Sequence, residues 1–201
     1  MRAVVKDQKV SNTRDVLIDT ALRTFEEIGY ERATVAAIRS RAGISNGSFF
    51  HFFSSKEALA AAIFLEALRS YHDAMAQSVS EDAGAAEGVA LLVRAHLRWV
   101  IKQRRLARFL FEQSRSEWLT HIRDQQRSSN VAFRAAMDRW IAPRVKDGTL
   151  HALTPTVLMS QIIGPAQMFC RAWLSGRENE PPDRHAKVLV ACAKRAVVIG
   201  S

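Results

Sequence analysis

Apolar residues recur along this chain with a period near 3.6, and bounded runs of alternating β-branched residues are almost absent, so the pattern predicts helices throughout. Val16, Leu17, Ala21, Leu22, Phe25 and Ile28 share one face of a first helix, with Thr13 as its cap and Gly29 as its stop. Thr34 caps a second, short helix through Val35, Ile38 and Ala42, ended by Gly43, and Ser45 caps a third that holds Phe49, Phe50, Phe52 and Phe53. Beyond these the helices lengthen. Ser54 or Ser55 opens one with Glu57 in its first turn, reaching Val79; a loop is expected over 80–88, then a helix from Val89 to Gln103 and a short one from Arg104 to Gln113. Ser116 to Lys146 reads as one long helix closed by Asp147-Gly148, and Thr154-Pro155 opens another that reaches Ser175. Asp183 caps a last helix through Ala186, Val190, Ala193 and Val197. The fold class expected is all-α, about nine helices, with an N-terminal three-helix unit and a C-terminal helical bundle.

The second and third helices are short, are separated by Gly43-Ile44 and follow a longer one. That is the helix-turn-helix plan, in which a glycine permits the tight turn and the second short helix presents its N-terminal end to base edges in the major groove. Ser45, Asn46, Gly47 and Ser48 at that end are small and polar, so the backbone can approach phosphates while side chains bond bases. Phe49 and Phe53 are expected to anchor the helix inward, leaving Phe50, His51 and Lys56 toward the sugar-phosphate backbone.

The segment Gly29-Tyr30, Thr34-Val35, Ile38, Ala42-Gly43-Ile44-Ser45, Gly47, Phe50, Phe53, Lys56 and Leu59 resembles the N-terminal DNA-binding domain of the TetR (tetracycline-repressor-like) transcriptional regulators, without a gap from Thr13 to Leu65. The resemblance implies a homodimer that sets two recognition helices in successive major grooves of a palindromic operator, with a C-terminal domain that binds a small effector and dimerises. The divisions it suggests are a flexible basic arm over 1–12, a DNA-binding domain over 13–56 and an effector-binding and dimerisation domain over 57–201. Thr34 then corresponds to a phosphate-contacting helix start, Ser45, Asn46, Gly47 and Ser48 to the reading end, and Phe50, His51 and Lys56 to backbone contacts. Phe50 stands where the family usually has a tyrosine, so its contact must be apolar. Asn46 replaces a frequent basic residue or proline, and its amide could bond adenine. Arg39 replaces a packing alanine and is expected to turn outward to a phosphate.

Because the family keeps its effector cavity inside the C-terminal bundle, the aromatic and sulfur side chains there supply pocket candidates: Trp99, Phe111, Trp118, Phe133, Met137 and Met159, with His96 and Arg171 as orienting polar groups. A hydrophobic, aromatic effector would suit them. The last two long helices correspond to the family's four-helix dimer interface, for which Leu158, Ile162, Phe169, Trp173, Ala186, Val190, Ala193 and Val197 are the candidates.

Charge and composition narrow the function without locating it. The 201 residues carry 29 Lys and Arg against 20 Asp and Glu, a net +9 that favours a polyanionic partner. Residues 1–56 hold 9 basic and 6 acidic side chains, so most of the surplus lies outside the reader. Nine basic residues between Leu91 and Arg127 include Arg94, Arg98, Lys102 and Arg105 on one helix face; they suit a solvated stripe, a DNA contact or the entrance for an anionic effector. Gly148 to Cys170 is 23 residues without a charge, but its prolines, glycines and polar groups argue against a membrane span and for burial against core or a second subunit. Cys170 and Cys192 form neither a disulfide framework nor a zinc motif, which suits a reducing cytoplasm. Six scattered histidines lack metal-ligand pairing, so neither metal nor cofactor is implied and a helical enzyme is the weaker alternative. A regulator without a small-molecule effector remains a second alternative.

Overall fold

The structure is a computed structural model that describes the backbone of residues 2–200 and the side chains of residues 13–200; the basic arm expected over 1–12 lies outside those side chains. Among the described residues there are nine α-helices: α1 (Arg2–Ile28), α2 (Val35–Ala42), α3 (Asn46–Phe52), α4 (Lys56–Ala76), α5 (Ala85–Lys102), α6 (Arg104–Glu112), α7 (Arg123–Lys146), α8 (Pro155–Leu174) and α9 (Ala186–Val197). Two 3₁₀ turns, Glu117–Ile122 and Pro182–His185, precede α7 and α9. Four of the N-caps read from sequence are in place, whereas Thr13 lies inside α1, which already runs from Arg2, and Asp183 lies within the second 3₁₀ turn. Thr34, Ser45, Ser55 and Thr154 each accept a hydrogen bond from the backbone N–H three residues on, at 3.1, 3.2, 3.1 and 3.4 Å.

The structure corrects three boundaries. The helix expected from Ser116 is two elements, because Ile122 leaves helical geometry (φ −118°, ψ 16°) and the tighter 3₁₀ turn before it buries Trp118, Leu119 and Ile122 together. The last helix starts after a 3₁₀ turn rather than at Asp183. The loop expected over 80–88 ends at Gly84, and Gly88 lies inside α5, where a Cβ would run into the Trp140 ring. That glycine marks where the Trp140 ring of α7 lies directly on the α5 backbone instead of a break. Trp140 completes the joint by donating its Nε1–H to the Ala83 carbonyl at 2.9 Å, beside an Arg144 Nε donation to the same oxygen at 3.1 Å.

One hydrophobic core runs from Leu17 in α1 to Val198 after α9. Within it α4 packs against α5, α6, α7 and the Glu117–Ile122 turn, and α1 lies against both α2 and α6. The N-terminal three-helix unit is thus welded to the bundle through α1 and α4. Phe25 of α1 stacks on Phe109 of α6 with ring centres 5.4 Å apart, and Tyr30 lies 6.0 Å from Trp118. At the far end α9 lies on α5 and α8, and a β-bridge between Leu150 and Val198 ties the chain after α9 to the loop before α8.

Candidate nucleic-acid interface and effector cavities

The turn between α2 and α3 depends on Gly43, whose φ of 66° is left-handed and admits other residues only with strain. The Ile44 N–H then donates to the Arg39 carbonyl at 2.9 Å, closing α2. Ile38 and Phe49 are fully buried and Phe53 nearly so, which fixes the angle between the two short helices. Ser45, Asn46 and Gly47 are exposed and Ser48 half-buried, so the polar end of α3 faces solvent. Thr34 and His51 are exposed as well, Arg39 is half-buried, and Phe50 stands 49% exposed with its ring edge-on to Phe49. An aromatic ring half in water on this face is placed for an apolar contact with sugar or a thymine methyl.

Lys56 departs from the expected phosphate contact. Its ammonium lies 4.3 Å above the Tyr30 ring and donates to the Tyr30 and Glu31 carbonyls at 3.1 and 3.4 Å. Two of its three donors are spent closing the turn after α1, so the side chain is a joint between α1 and the start of α4. Burial, followed by the charges of Glu57 and Glu31, pushes the Tyr30 phenol up to about 12 and keeps it protonated beneath that ammonium. Arg41 is likewise engaged, with Glu27 of α1.

Part of the basic stretch after Leu91 finds its partners inside the chain. Arg105 pairs with Glu26 of α1 at 2.9 Å, Arg108 with Glu112 at 2.8 Å, and the Arg104 guanidinium lies 4.8 Å over the Trp173 ring. Arg94, Arg98 and Lys102 are exposed.

The eight pocket candidates fall into three places instead of one. His96, Trp99, Phe111 and Arg171 pack into a cluster in the bundle: the Tyr71 hydroxyl lies 3.0 Å from His96 Nδ1, Trp99 donates to Ser70 Oγ at 3.1 Å, the His96 ring stacks on Phe111, and Arg171 lies 5.3 Å over the Phe111 ring. Burial pushes His96 down to about 4, so it is neutral, and burial raises the Tyr71 phenol. Phe133, Met137 and Met159 do converge, on a cavity of about 240 Å³ that also touches His72, Arg134 and Ile141. Trp118 lines a third place, about 620 Å³ between the start of α4 and the Glu117–Ile122 turn. A further cavity of about 510 Å³ between α4 and α7 shares Leu65 with the Trp118 cavity and His72 and Phe133 with the Met159 cavity. The three form a trough along α4.

The dimer candidates are corrected by burial. Leu158, Ile162, Val190, Ala193 and Val197 leave no more than 6% of their surface exposed, so they hold α8, α9 and α5 together and have nothing to offer a second copy. Phe169 packs its ring 4.6 Å from His185, Trp173 lies under Arg104, and Ala186 is half-buried. Both helices are apolar on two faces, and five of the eight candidates fall on the inner one while Phe169, Trp173 and Ala186 are half-buried. The outer face carries Val157, Met168 and Val188, exposed by 43, 66 and 54%.

Residues 17–63 match the family described as "Bacterial regulatory proteins, tetR family". Over these residues the chain belongs to the TetR family. The "HTH-type transcriptional repressor AcnR" of Corynebacterium efficiens is 39% identical over 80 residues, 40% of this chain and 40% of that protein. The "Fatty acid metabolism regulator protein" of Bacillus subtilis is 29% identical over 91 residues, 45% of this chain and 47% of its own length. This chain spans less than half the length of these curated relatives. In fold the likeness extends throughout: a TetR-family regulator from Marinobacter aquaeolei has a TM-score of 0.78 at 21% identity, covering 96% of this chain and 98% of its own. FadR of Bacillus subtilis, solved in complex with stearoyl-CoA, has a TM-score of 0.72 at 20% identity, covering 92% and 98%.

Within this TetR-family frame, the sequence reading missed the residues that make the trough. His72, whose Nδ1 lies 2.9 Å from Ser129 Oγ and whose ring stacks on Phe133 at 4.3 Å, links two of its cavities. Burial pushes this imidazole down to about 4. Nothing in the sequence singles this histidine out, because it stands among Arg69, Ser70 and Asp73. Ala58, Ala61 and Ala62 were missed as well, because alanines show nothing in sequence until the neighbouring element is known to stand off from them.

Proposed function

We propose that the protein is a ligand-responsive transcriptional regulator of the TetR type, a cytoplasmic repressor that leaves a palindromic operator when a small apolar effector binds. The observation that carries this reading is the joint geometry of α2 and α3: buried Ile38, Phe49 and Phe53 hold the exposed Ser45, Asn46 and Gly47 outward at a helix start, the arrangement that reads a major groove. Thr34, Arg39, Ser48, Phe50 and His51 complete the proposed DNA surface, while Lys56 sets the hinge behind it. The trough along α4 supports an elongated, mainly apolar effector, because the surface it presents is more apolar than polar although Ser, His, Asp, Glu and Arg side chains also line it. The neighbour that holds stearoyl-CoA is consistent with that class.

The operator's two-fold symmetry asks for two readers, and the outer face of α8 and α9 is the surface proposed to join them. An electrophoretic shift on the protein's own upstream DNA tests the reading. A salt-sensitive shift that Asn46→Ala and Arg39→Ala weaken is the expected result; absence of any shift at low salt would overturn it.

A further inference from the structure

We propose that Phe50 is a specificity-determining residue, one that reads the 5-methyl group of a thymine across the open backbone of Gly47. The inference rests on the reading of α3 as the helix that enters the major groove. Among the described residues Phe50 is the one aromatic side chain that stands exposed, with 49% of its surface in water, while every other Phe, Tyr and Trp is buried or half-buried. A partner that covers this ring gains the burial that the folded chain leaves unused. The ring is also held in place. It meets the ring of fully buried Phe49 edge-on at 5.3 Å, and Phe49 in turn lies 6.1 Å from Phe53.

Position on the helix decides what covers it. Asn46, Gly47 and Phe50 stand at i, i+1 and i+4 of α3, so Phe50 shares a stripe with two exposed residues of the reading end. A helical side chain leans toward the N-terminus of its helix, which carries this ring toward Asn46 and Gly47. A Cβ on Gly47 would meet nothing within 4 Å, so the backbone there is bare and open beside the ring. Together they make a notch with an apolar wall. Base edges in the major groove offer hydrogen-bond donors and acceptors and one apolar group, the thymine methyl. A phenyl ring has no polar atom to set against the donors and acceptors, so that methyl is the base-edge group that matches it. A contact with deoxyribose would instead leave the ring beside phosphates it cannot bond, while Lys56 is committed to the Tyr30 and Glu31 carbonyls.

Two versions of the protein's own upstream DNA test this, one with thymine and one with uracil at every thymine position. The two bases share every hydrogen-bonding group and differ only in the methyl. For the full chain, loss of one buried methyl is expected to weaken binding about fourfold per half-site, and about fifteenfold when two copies read a two-fold site. Phe50→Ala should bind thymine DNA more weakly and bring the ratio of the two affinities close to one. Gly47→Ala, at a position whose φ is not left-handed, should do the same by filling the notch, with a melting temperature unchanged or raised. A ratio near one for the unaltered protein overturns the proposal and places the ring against sugar. A ratio that Phe50→Ala leaves unchanged overturns it as well, because another residue then reads the methyl. A missing shift on thymine DNA at low salt overturns the DNA-reading role of α3 itself and this inference with it, whereas equal shifts on both DNAs overturn this inference alone.

Discussion

Gly88 and Trp140 meet with no side chain between them, and that contact shows how a single atom can decide the packing of two helices. Gly88→Ala places a methyl inside the indole ring, and the ring cannot swing away without giving up its 2.9 Å bond to the Ala83 carbonyl. The expected loss is about 3 kcal/mol, at the upper end of ordinary overpacking, read as a lowered midpoint in urea with an unchanged slope. An unchanged midpoint would mean that α5 and α7 slide apart at little cost. At this scale the sequence was legible wherever the partner is local. Thr34, Ser45, Ser55 and Thr154 bond an N–H three residues away, and each was recognisable as a cap. Lys56 was not legible in the same way, because its acceptors lie 26 and 25 residues upstream and only the docking of α4 on α1 brings them within reach.

Single helices carry the pH response. His96 of α5 is enclosed by Tyr71 of α4 and Phe111 of α6, and burial lowers its proton affinity from 6.5 to about 4. The unfolded chain therefore binds the proton first as pH falls. Stability from this residue is complete above about 6.5 and is lost progressively toward about 4, by about 3 kcal/mol in all. His96→Gln keeps a hydrogen-bond acceptor for Tyr71 but cannot titrate. Its unfolding free energy, measured by denaturant titration between pH 7 and 4.5, should fall less steeply than that of the parent; parallel slopes would show that His96 is not the group responsible. Elements were also where periodicity misled. On α8 and α9 it marks apolar positions correctly but cannot rank two apolar faces, and Val190, Ala193 and Val197 went inward because α5 lies there. The break at Ile122 escaped for a similar reason: apolar spacing alone does not separate a 3₁₀ turn from the helix that continues it.

For the whole molecule, two predictions separate what surface charge does from what surface hydrophobicity does. Met168→Glu with Val188→Glu puts two carboxylates on the outer face of α8 and α9, each facing its copy in a symmetric contact. Light scattering should then report a monomer with an intact fold and a much weakened DNA shift, whereas a persistent dimer would place the interface elsewhere. Arg98→Gln with Lys102→Gln should leave the salt dependence of DNA binding unchanged, since both lie on α5, which packs in the bundle behind α4. A logarithmic slope reduced by about 2 would show that both touch phosphate. At this scale sequence gave the order of elements and the reading end of α3, both set by short-range pattern, while the trough was invisible because it exists only where α7 stands off from α4.

The stacked Phe25 and Phe109, with Tyr30 beside Trp118, bear on how such proteins exchange parts. A recombinant that joins this reader, cut before Lys56, to the bundle of a relative would inherit α1 without the ring it leans on. Transplanting operator specificity therefore means grafting the outward positions of α2 and α3 onto a resident α1, so that the half of the reader that touches DNA can change while the half that touches the bundle stays put.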